Sequence, residues 1–202
     1  MTNLEIFIYA LLWISFGFVH SLLARAPVKR LLQPLFGRAY RISYNLFSAL
    51  YIGLVIIGGQ LVLGGNAVKF EIGNELAFLA LTAQLSGVVI ILFGLTQYDL
   101  GRFGGTTQLF RRDNISVDDE EPLHISGMHR YVRHPLYLGA YLYLLGGATS
   151  EFGLQTALWG CLYLWVGTWF EERSLVNQYG RAYVEYKEKV PAIFPFKGRA
   201  IE

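Results

Sequence analysis

The chain has 202 residues, of which 53% are hydrophobic and 16% are charged, against roughly 25% charged residues in an ordinary soluble domain. Its net charge is +2 and its mean hydropathy is +0.37. This composition excludes a soluble enzyme, a secreted disulfide scaffold and a disordered tail. The single Cys161 excludes an internal disulfide and a cysteine-based zinc site.

Five uncharged runs divide the chain, and they are 19, 27, 23, 17 and 19 residues long. Because a bilayer core of about 30 Å takes roughly 20 helical residues, these runs predict an all-α integral membrane bundle of five transmembrane helices. We expect one membrane domain over 1–202, in which 1–97 holds three helices. Residues 98–202 then hold a long loop, a helical hairpin and a C-terminal tail.

The first three helices are predicted over about 4–23, 44–63 and 76–96. The first is expected to be a retained helix rather than a cleaved signal peptide, because Glu5 begins it and no Lys or Arg precedes Arg25. A basic loop follows, and it carries three residues that interrupt helices: Pro27, Pro34 and Gly37.

The second half is predicted as a cytoplasmic loop over 97–134, two helices and a tail. Pro135 is expected to open the fourth helix, since Pro is favoured at the first helical position. Only residues 150–153 separate this helix from the fifth, so the two are expected to form an antiparallel hairpin. The tail over 174–189 has apolar residues at helical spacing, which predicts an interfacial helix on the cytoplasmic side.

Basic residues are distributed unequally between the loops. The first loop, the third loop and the tail carry 16 of the 17 Lys and Arg residues, and the other side carries only Lys69. The positive-inside rule therefore predicts an external N-terminus and a cytoplasmic C-terminus, most simply in a bacterial inner membrane.

Most of the unusual polar residues lie at the two cytoplasmic ends of the predicted hairpin. Arg133 and His134 precede the fourth helix, whose N-terminus favours an anion, whereas Glu171 and Glu172 end the fifth and favour a cation or a diol. A ligand with a carboxylate, an ammonium, a ribose diol and a sulfonium matches this set, and S-adenosylmethionine is such a ligand. A phosphate or an anionic lipid headgroup would also suit Arg133 and the helix start.

The pattern from Arg133 to Val190 resembles the isoprenylcysteine carboxyl methyltransferase family, which groups with membrane phospholipid methyltransferases. The resemblance covers residues 121–196, with an Arg-His-Pro-x-Tyr-x-Gly segment over 133–139 and the glutamate pair at 171 and 172. It implies a cytoplasmic pocket in which S-adenosylmethionine contacts these residues: Leu123, His124, His129, His134, Pro135, Leu136, Tyr137 and Glu171. His129 stands where the eukaryotic enzymes have a tyrosine. Gly167 stands where the prenylcysteine enzymes have a substrate-contacting arginine.

The N-terminal half resembles bacterial methanethiol S-methyltransferases and also NnrU-like proteins associated with denitrification. The segments that carry this resemblance are 20–24, 37–41, 44–48 and 96–100. The implied reaction is direct methyl transfer to a small or lipid-soluble acceptor, with a thiol expected first. Arg133 and Glu172 are predicted as catalytic residues, with Glu172 orienting the arginine. The acceptor-side residues are predicted to be His20, Tyr44, Asn45 and Asp99, and either His20 or Asp99 is a candidate to take the thiol proton.

Several alternatives stay open at this point. The acceptor could be a prenylcysteine carboxylate or a lipid amine, or the chain could be a non-catalytic membrane protein of the NnrU type. Arg133 and His134 could serve only as a membrane anchor and a helix cap. No metal site is predicted, because His124, His129 and His134 are spaced by five residues and share no helical face. No nucleic-acid partner is expected, and the sequence leaves the oligomeric state open.

Overall fold

The computed structural model describes residues 2–65, 67–110 and 123–196. The described chain is helical, and within it β-type pairing is confined to one antiparallel bridge between Lys69 and Ser150. The α-helices are α1 (Asn3–Ala24), α2 (Ala26–Phe36), α3 (Tyr40–Leu63), α4 (Asn74–Leu95), α5 (Leu100–Gly104), α6 (Thr106–Phe110), α7 (Pro135–Gly146), α8 (Glu151–Tyr179) and α9 (Arg181–Lys189). Short 3₁₀ helices cover Gly37–Ala39 and Gly127–Arg130.

Three helical stretches of the described chain are long and apolar enough to cross a membrane. They are Asn3–Ala24, Ala26–Leu63 and Asn74–Leu95, and their most apolar windows have mean hydropathies of 2.0, 2.1 and 2.3. Helix α7 is apolar but has 12 residues, and α8 has 29 residues but is less apolar. An all-helical membrane protein is therefore confirmed, and membrane crossing by α7 and α8 stays a prediction.

The first compact unit comprises residues up to 68 together with the segment from 99. Its core is the contact of α1 with α3, where Tyr9, Trp13 and Phe16 are buried with Val55. Gly59 makes this contact possible, because a Cβ there would lie 2.2 Å from the Tyr9 ring.

The second compact unit comprises residues 69–98 together with the segment from 120. Helices α4 and α7 pack backbone to backbone, since a Cβ on Gly139 would lie 2.7 Å from the Gly87 carbonyl oxygen. Ser150 caps α8 by accepting a hydrogen bond from the Gly153 N–H at 3.0 Å. Only residues 147–150 connect α7 to α8, the two helices that were predicted to form a hairpin. The basic residues at 111, 112, 197 and 199 lie outside the described residues.

Two predictions about helices were wrong. The expected basic loop is mostly α2, because Pro27 lies in the first turn and the single internal Pro34 does not end the helix. The expected continuous helix over 174–189 is divided at Gly180, whose φ of +58° lies outside helical geometry. Helix α8 therefore runs past both glutamates to Tyr179, and α9 starts in a new direction.

Candidate functional site

The Arg-His-Pro loop is bound to a short segment after α9, which we call the C-terminal strap (Val190–Ala192). The backbone N–H of Arg133 donates to the Pro191 carbonyl at 2.9 Å. The N–H of His134 donates to the Ala192 carbonyl at 3.0 Å. These two bonds fix the loop immediately before α7 begins.

The side chain of Arg133 is buried and points toward α8 and α9. Its Nε donates to Glu172 Oε1 at 2.9 Å, and its Nη2 donates to the same oxygen. Its Nη1 donates to the Lys187 carbonyl at 3.2 Å and to the Val190 carbonyl. Arg133 thus holds three parts of the chain together.

Glu172 is the centre of an ion cluster that we define as Arg133, His134, Glu172 and Lys187. Besides the arginine, His134 Nε2 lies 3.2 Å from Glu172 Oε1 and Lys187 Nζ lies 2.7 Å from Oε2. Burial raises the pKa of Glu172, but hydrogen bonds from His134, Lys187 and Arg133 outweigh burial and hold it at about 2. Glu172 is therefore ionised and fully occupied by partners within the protein.

Glu171, by contrast, presents a carboxylate to the surroundings. Its side chain is 44% exposed, and its Oε2 lies 3.7 Å from His134 Nδ1. The His134 ring stacks on Tyr137, with ring centroids 5.3 Å apart. Helix α7 starts beside this pair, and Leu138 N–H to His134 O is its first internal bond, at 3.0 Å. An exposed carboxylate next to a helix N-terminus can bind a cationic and an anionic group side by side.

His129 contains a buried nitrogen without a hydrogen-bond partner in the described chain. Its Nδ1 lies 3.1 Å from the Arg133 carbonyl, which can only accept, so Nδ1 carries the proton. Burial lowers the pKa of His129, and the hydrogen bond to the Arg133 carbonyl opposes this shift only in part. The ring is therefore neutral, and its Nε2 has a lone pair that accepts no hydrogen bond from the described residues. The rings of Tyr98 and His124 lie edge-on to it, 5.7 and 5.8 Å away.

Three of the predicted cofactor contacts have packing roles in the structure. Leu123 packs against the buried cluster of Tyr183, Tyr186 and Val190. Pro135 is fully buried. Leu136 packs against Gly94, where a Cβ would lie only 2.8 Å from the leucine side chain.

The predicted acceptor-side residues belong to the first unit. The His20 ring lies between two hydroxyl groups, with Nε2 2.9 Å from Tyr44 Oη and Nδ1 3.1 Å from Ser48 Oγ. This triad is half-buried between α1 and α3.

Asn45 and Asp99 hold the backbone around α5. The Asn45 side chain donates to the Phe103 and Gly104 carbonyls at 3.0 and 3.1 Å. Asp99 caps α5 by accepting a hydrogen bond from the Arg102 N–H at 3.0 Å. Of the two candidates for proton acceptor, His20 therefore has the geometry of a relay, whereas Asp99 is occupied as a helix cap.

Sequence reasoning missed the contribution of α9. Lys187 completes the ion cluster, and the Tyr186 hydroxyl donates to the His129 carbonyl at 2.5 Å. The tyrosine was detectable as part of an apolar periodicity. Lys187 had no distinguishing signal, because it is one of several basic residues in the tail.

An apolar groove of about 810 Å³ lies between α7, α8 and the residues that follow α9. Its lining includes Tyr141, Leu145, Leu158, Trp165, Phe194 and Phe196. The groove suits a hydrophobic group and offers almost no polar contacts.

Proteins named methanethiol S-methyltransferase match nearly the whole chain. The one from Crocosphaera subtropica is 29% identical in an alignment of 193 residues that covers 91% of this chain and 72% of that protein. Methanethiol S-methyltransferase 1 of Bradyrhizobium diazoefficiens is 26% identical in an alignment of 199 residues that covers 95% of this chain and 67% of that protein.

A second group of relatives matches about half of the chain. Protein-S-isoprenylcysteine O-methyltransferase of Mus musculus is 27% identical in an alignment of 125 residues that covers 58% of this chain and 43% of that protein. No family model and no solved structure matches the chain. The chain is therefore a homologue of proteins named methanethiol S-methyltransferase and protein-S-isoprenylcysteine O-methyltransferase, as its motifs predicted.

Proposed function

We propose that this protein is a membrane methyltransferase that uses S-adenosylmethionine and methylates a small, lipid-soluble thiol. The observation that carries the proposal is the convergence of His134, Glu171 and the start of α7 in a chain whose near-full-length relatives are named methanethiol S-methyltransferase. A thiol acceptor follows those relatives, which match 91% and 95% of the chain.

The residues of the second unit fit S-adenosylmethionine. The unpartnered Nε2 of His129 accepts an N–H donor, and the adenine amino group is one. The exposed carboxylate of Glu171 suits an ammonium or a ribose hydroxyl, and the first N–H groups of α7 suit a carboxylate. When bound, the cofactor supplies a methyl group on a positively charged sulfur.

The ion cluster has an orienting role in this proposal. Glu172 fixes Arg133 and one nitrogen of His134, which leaves the other nitrogen of His134 directed toward Glu171. Arg133 and Glu172 therefore act as positioning residues, a narrower role than the catalytic one predicted from the sequence. Holding reactants in a fixed orientation can supply roughly 7–11 kcal/mol of a reaction barrier.

A thiol acceptor must lose its proton before it can accept a methyl group, since the thiolate is the nucleophile. We propose His20 as the residue that takes this proton; within the first unit its ring contacts the Tyr44 and Ser48 hydroxyls. A carboxylate acceptor would not need it.

Binding of labelled S-adenosylmethionine to the purified protein tests the cofactor assignment. We expect saturable binding by the native protein, and at least tenfold weaker binding by Glu171→Gln because the exposed carboxylate is lost. Glu185→Gln, on the exposed face of α9, is the matched control and should bind normally. Absence of binding by the native protein would contradict the proposal.

The acceptor is tested by supplying methanethiol to membranes that contain the protein and measuring the methylated sulfide in the headspace. A second arm of the experiment supplies a prenylcysteine acceptor instead. The match to isoprenylcysteine methyltransferases over about half of the chain supports that alternative. Gly167 has no side chain where those enzymes have an arginine, so we expect the thiol arm alone to give product.

The same proposal includes the topology. The described apolar helices support an integral membrane protein, and the charge distribution supports five crossings with the N-terminus outside and the C-terminus in the cytoplasm of a bacterial inner membrane.

A further inference from the structure

Helix α2 lies between the apolar helices α1 and α3 and is too short to cross a membrane itself. It has 11 residues, or about 16 Å at 1.5 Å per residue, and lies between the end of α1 at Ala24 and the start of α3 at Tyr40. Because its neighbours in the chain enter the bilayer on the same side, α2 must lie at that membrane surface.

One face of α2 is apolar and uncovered. The apolar side chains recur at i, i+3, i+4, i+7 and i+8: Val28, Leu31, Leu32, Leu35 and Phe36. Val28 and Leu32 are half-buried, whereas Leu31 is 77% and Leu35 78% exposed. Nothing in the described chain covers these two leucines.

The flanking charges are all positive. Arg25 and Arg30 are exposed, and the sequence has no acidic residue between Glu5 and Glu71. Arg30 precedes Leu31 and lies roughly 100° around the helix from it, on the polar side of α2, from which its long side chain can extend to the headgroups. Aliphatic side chains beside basic ones are the pattern of a helix that lies in the interface and binds anionic headgroups.

We propose that α2 is an interfacial anchor that binds anionic phospholipids, with Leu31 and Leu35 among the acyl chains and with Arg25 and Arg30 at the phosphate groups. The anchor goes beyond the proposed methyl transfer and does not depend on it. Its partner is the anionic lipid surface on the side of the membrane where α1 ends and α3 begins.

Depth measurements on the full chain in lipid nanodiscs test the position of the helix. In a Cys161→Ser background, nitroxide labels are placed at Leu31→Cys and, as the matched control on the polar side of α2, at Ala26→Cys. We expect oxygen to relax the label at position 31 more strongly than the label at position 26. A water-soluble nickel chelate should relax the label at position 26 more strongly than the label at position 31. Equal access of the nickel chelate to both positions would overturn the proposal.

The lipid preference is tested with nanodiscs of phosphatidylcholine alone and with added phosphatidylglycerol. Native mass spectrometry of the released protein reports the phosphatidylglycerol that it retains. Arg25→Gln and Arg30→Gln should each weaken retention about fivefold, the factor that corresponds to roughly 1 kcal/mol per cation near an anionic surface.

Lys69→Gln is the charge-matched control, since it removes one positive charge in the loop before α4, which is proposed to lie on the other side of the membrane. We expect it to leave phosphatidylglycerol retention unchanged. Equal loss in Lys69→Gln and in the α2 variants would show a general charge effect and contradict a site on α2. Circular dichroism of each variant establishes that the helices are retained.

Discussion

Glu172 binds three different side chains through two carboxylate oxygens. Oε1 accepts from Arg133 and His134, and Oε2 pairs with Lys187. A buried carboxylate is tolerated only when its partners replace the lost water, and here the partners come from the loop before α7 and from α9. One residue near the end of α8 therefore determines the relative position of two other segments of the second unit.

Removing this charge should destabilise the protein strongly. Glu172→Gln leaves the buried guanidinium of Arg133 without its counter-charge, and we expect a loss of about 3 kcal/mol of unfolding free energy. Thermal unfolding in detergent measures the change. Glu185→Gln is the control, because Glu185 pairs with Arg181 at an exposed site and such pairs contribute less than about 1 kcal/mol. Equal effects of the two variants would contradict a central role for Glu172.

The same carboxylate gives a pH dependence with a defined sign. The pKa of Glu172 is about 2 in the folded protein and 4.5 in its ordinary state, so the unfolded chain binds the proton more readily. Its contribution to stability should be fully present above pH 4.5 and be lost as the pH falls toward 2. Unfolding midpoints between pH 2 and 7 measure this loss, and the native protein should lose more stability across that window than Glu172→Gln. Parallel curves for the two proteins would refute the assignment.

The division between α8 and α9 depends on one backbone conformation. Gly180 has φ +58° and ψ −130°, which other residues rarely adopt, and its missing Cβ would meet no atom within 4 Å. Gly167 also has open space around it, but it lies within α8 in ordinary helical geometry. Because a Cβ would strike no atom at either position, alanine substitutions at the two glycines test the backbone conformation alone.

Alanine at these two positions should have opposite effects. Gly180→Ala should cost about 1–3 kcal/mol of unfolding free energy through backbone strain. Gly167→Ala should stabilise by about 0.5–1 kcal/mol, because Gly is a poor helix former. Chemical denaturation measures both values, and a stabilising Gly180→Ala would show that α9 can continue the axis of α8.

Sequence alone predicts the helices whose start and end are set by their own residues. Long uncharged runs predicted α1, α3 and α4 to within a few residues, and Pro135 predicted the start of α7. Helix α2 was missed because Pro and Gly in sequence are typical of helix breaks, whereas in the structure the helix continues through Pro34 with Val28 and Leu32 half-buried. The break at Gly180 was missed because the aromatic periodicity continues across it from Tyr179 to Tyr183.

The site was predictable in its residue types but not in its pairings. The motif identified Arg133, His134 and both glutamates, but a short pattern gives no information on which glutamate is buried. That difference arises from Lys187, 15 positions beyond Glu172 in sequence and brought to it by the turn at Gly180. Contacts of this kind depend on tertiary packing, which local periodicity does not encode.

At the scale of the whole molecule, the topology can be tested by chemical labelling. In a Cys161→Ser background, Lys69→Cys should react with a membrane-impermeant maleimide from outside intact cells, because the loop before α4 is proposed to be external. Arg181→Cys, at the exposed start of α9, should react only after permeabilisation. Labelling of both positions from the same side would contradict five crossings.

The bonds from Arg133 to the C-terminal strap also have a consequence for synthesis. The ribosome delivers Arg133 58 residues before it delivers Pro191, and the loop requires the carbonyls of Pro191 and Ala192. Until then the arginine lacks its carbonyl acceptors at Lys187 and Val190, and Glu172 lacks Lys187. A chain that ends before residue 187 therefore has an Arg133 loop without these carbonyl acceptors and a Glu172 without Lys187. The loop can close only after residue 192 has been synthesised. We therefore expect proteases to cleave this loop faster in prematurely terminated chains than in the finished protein.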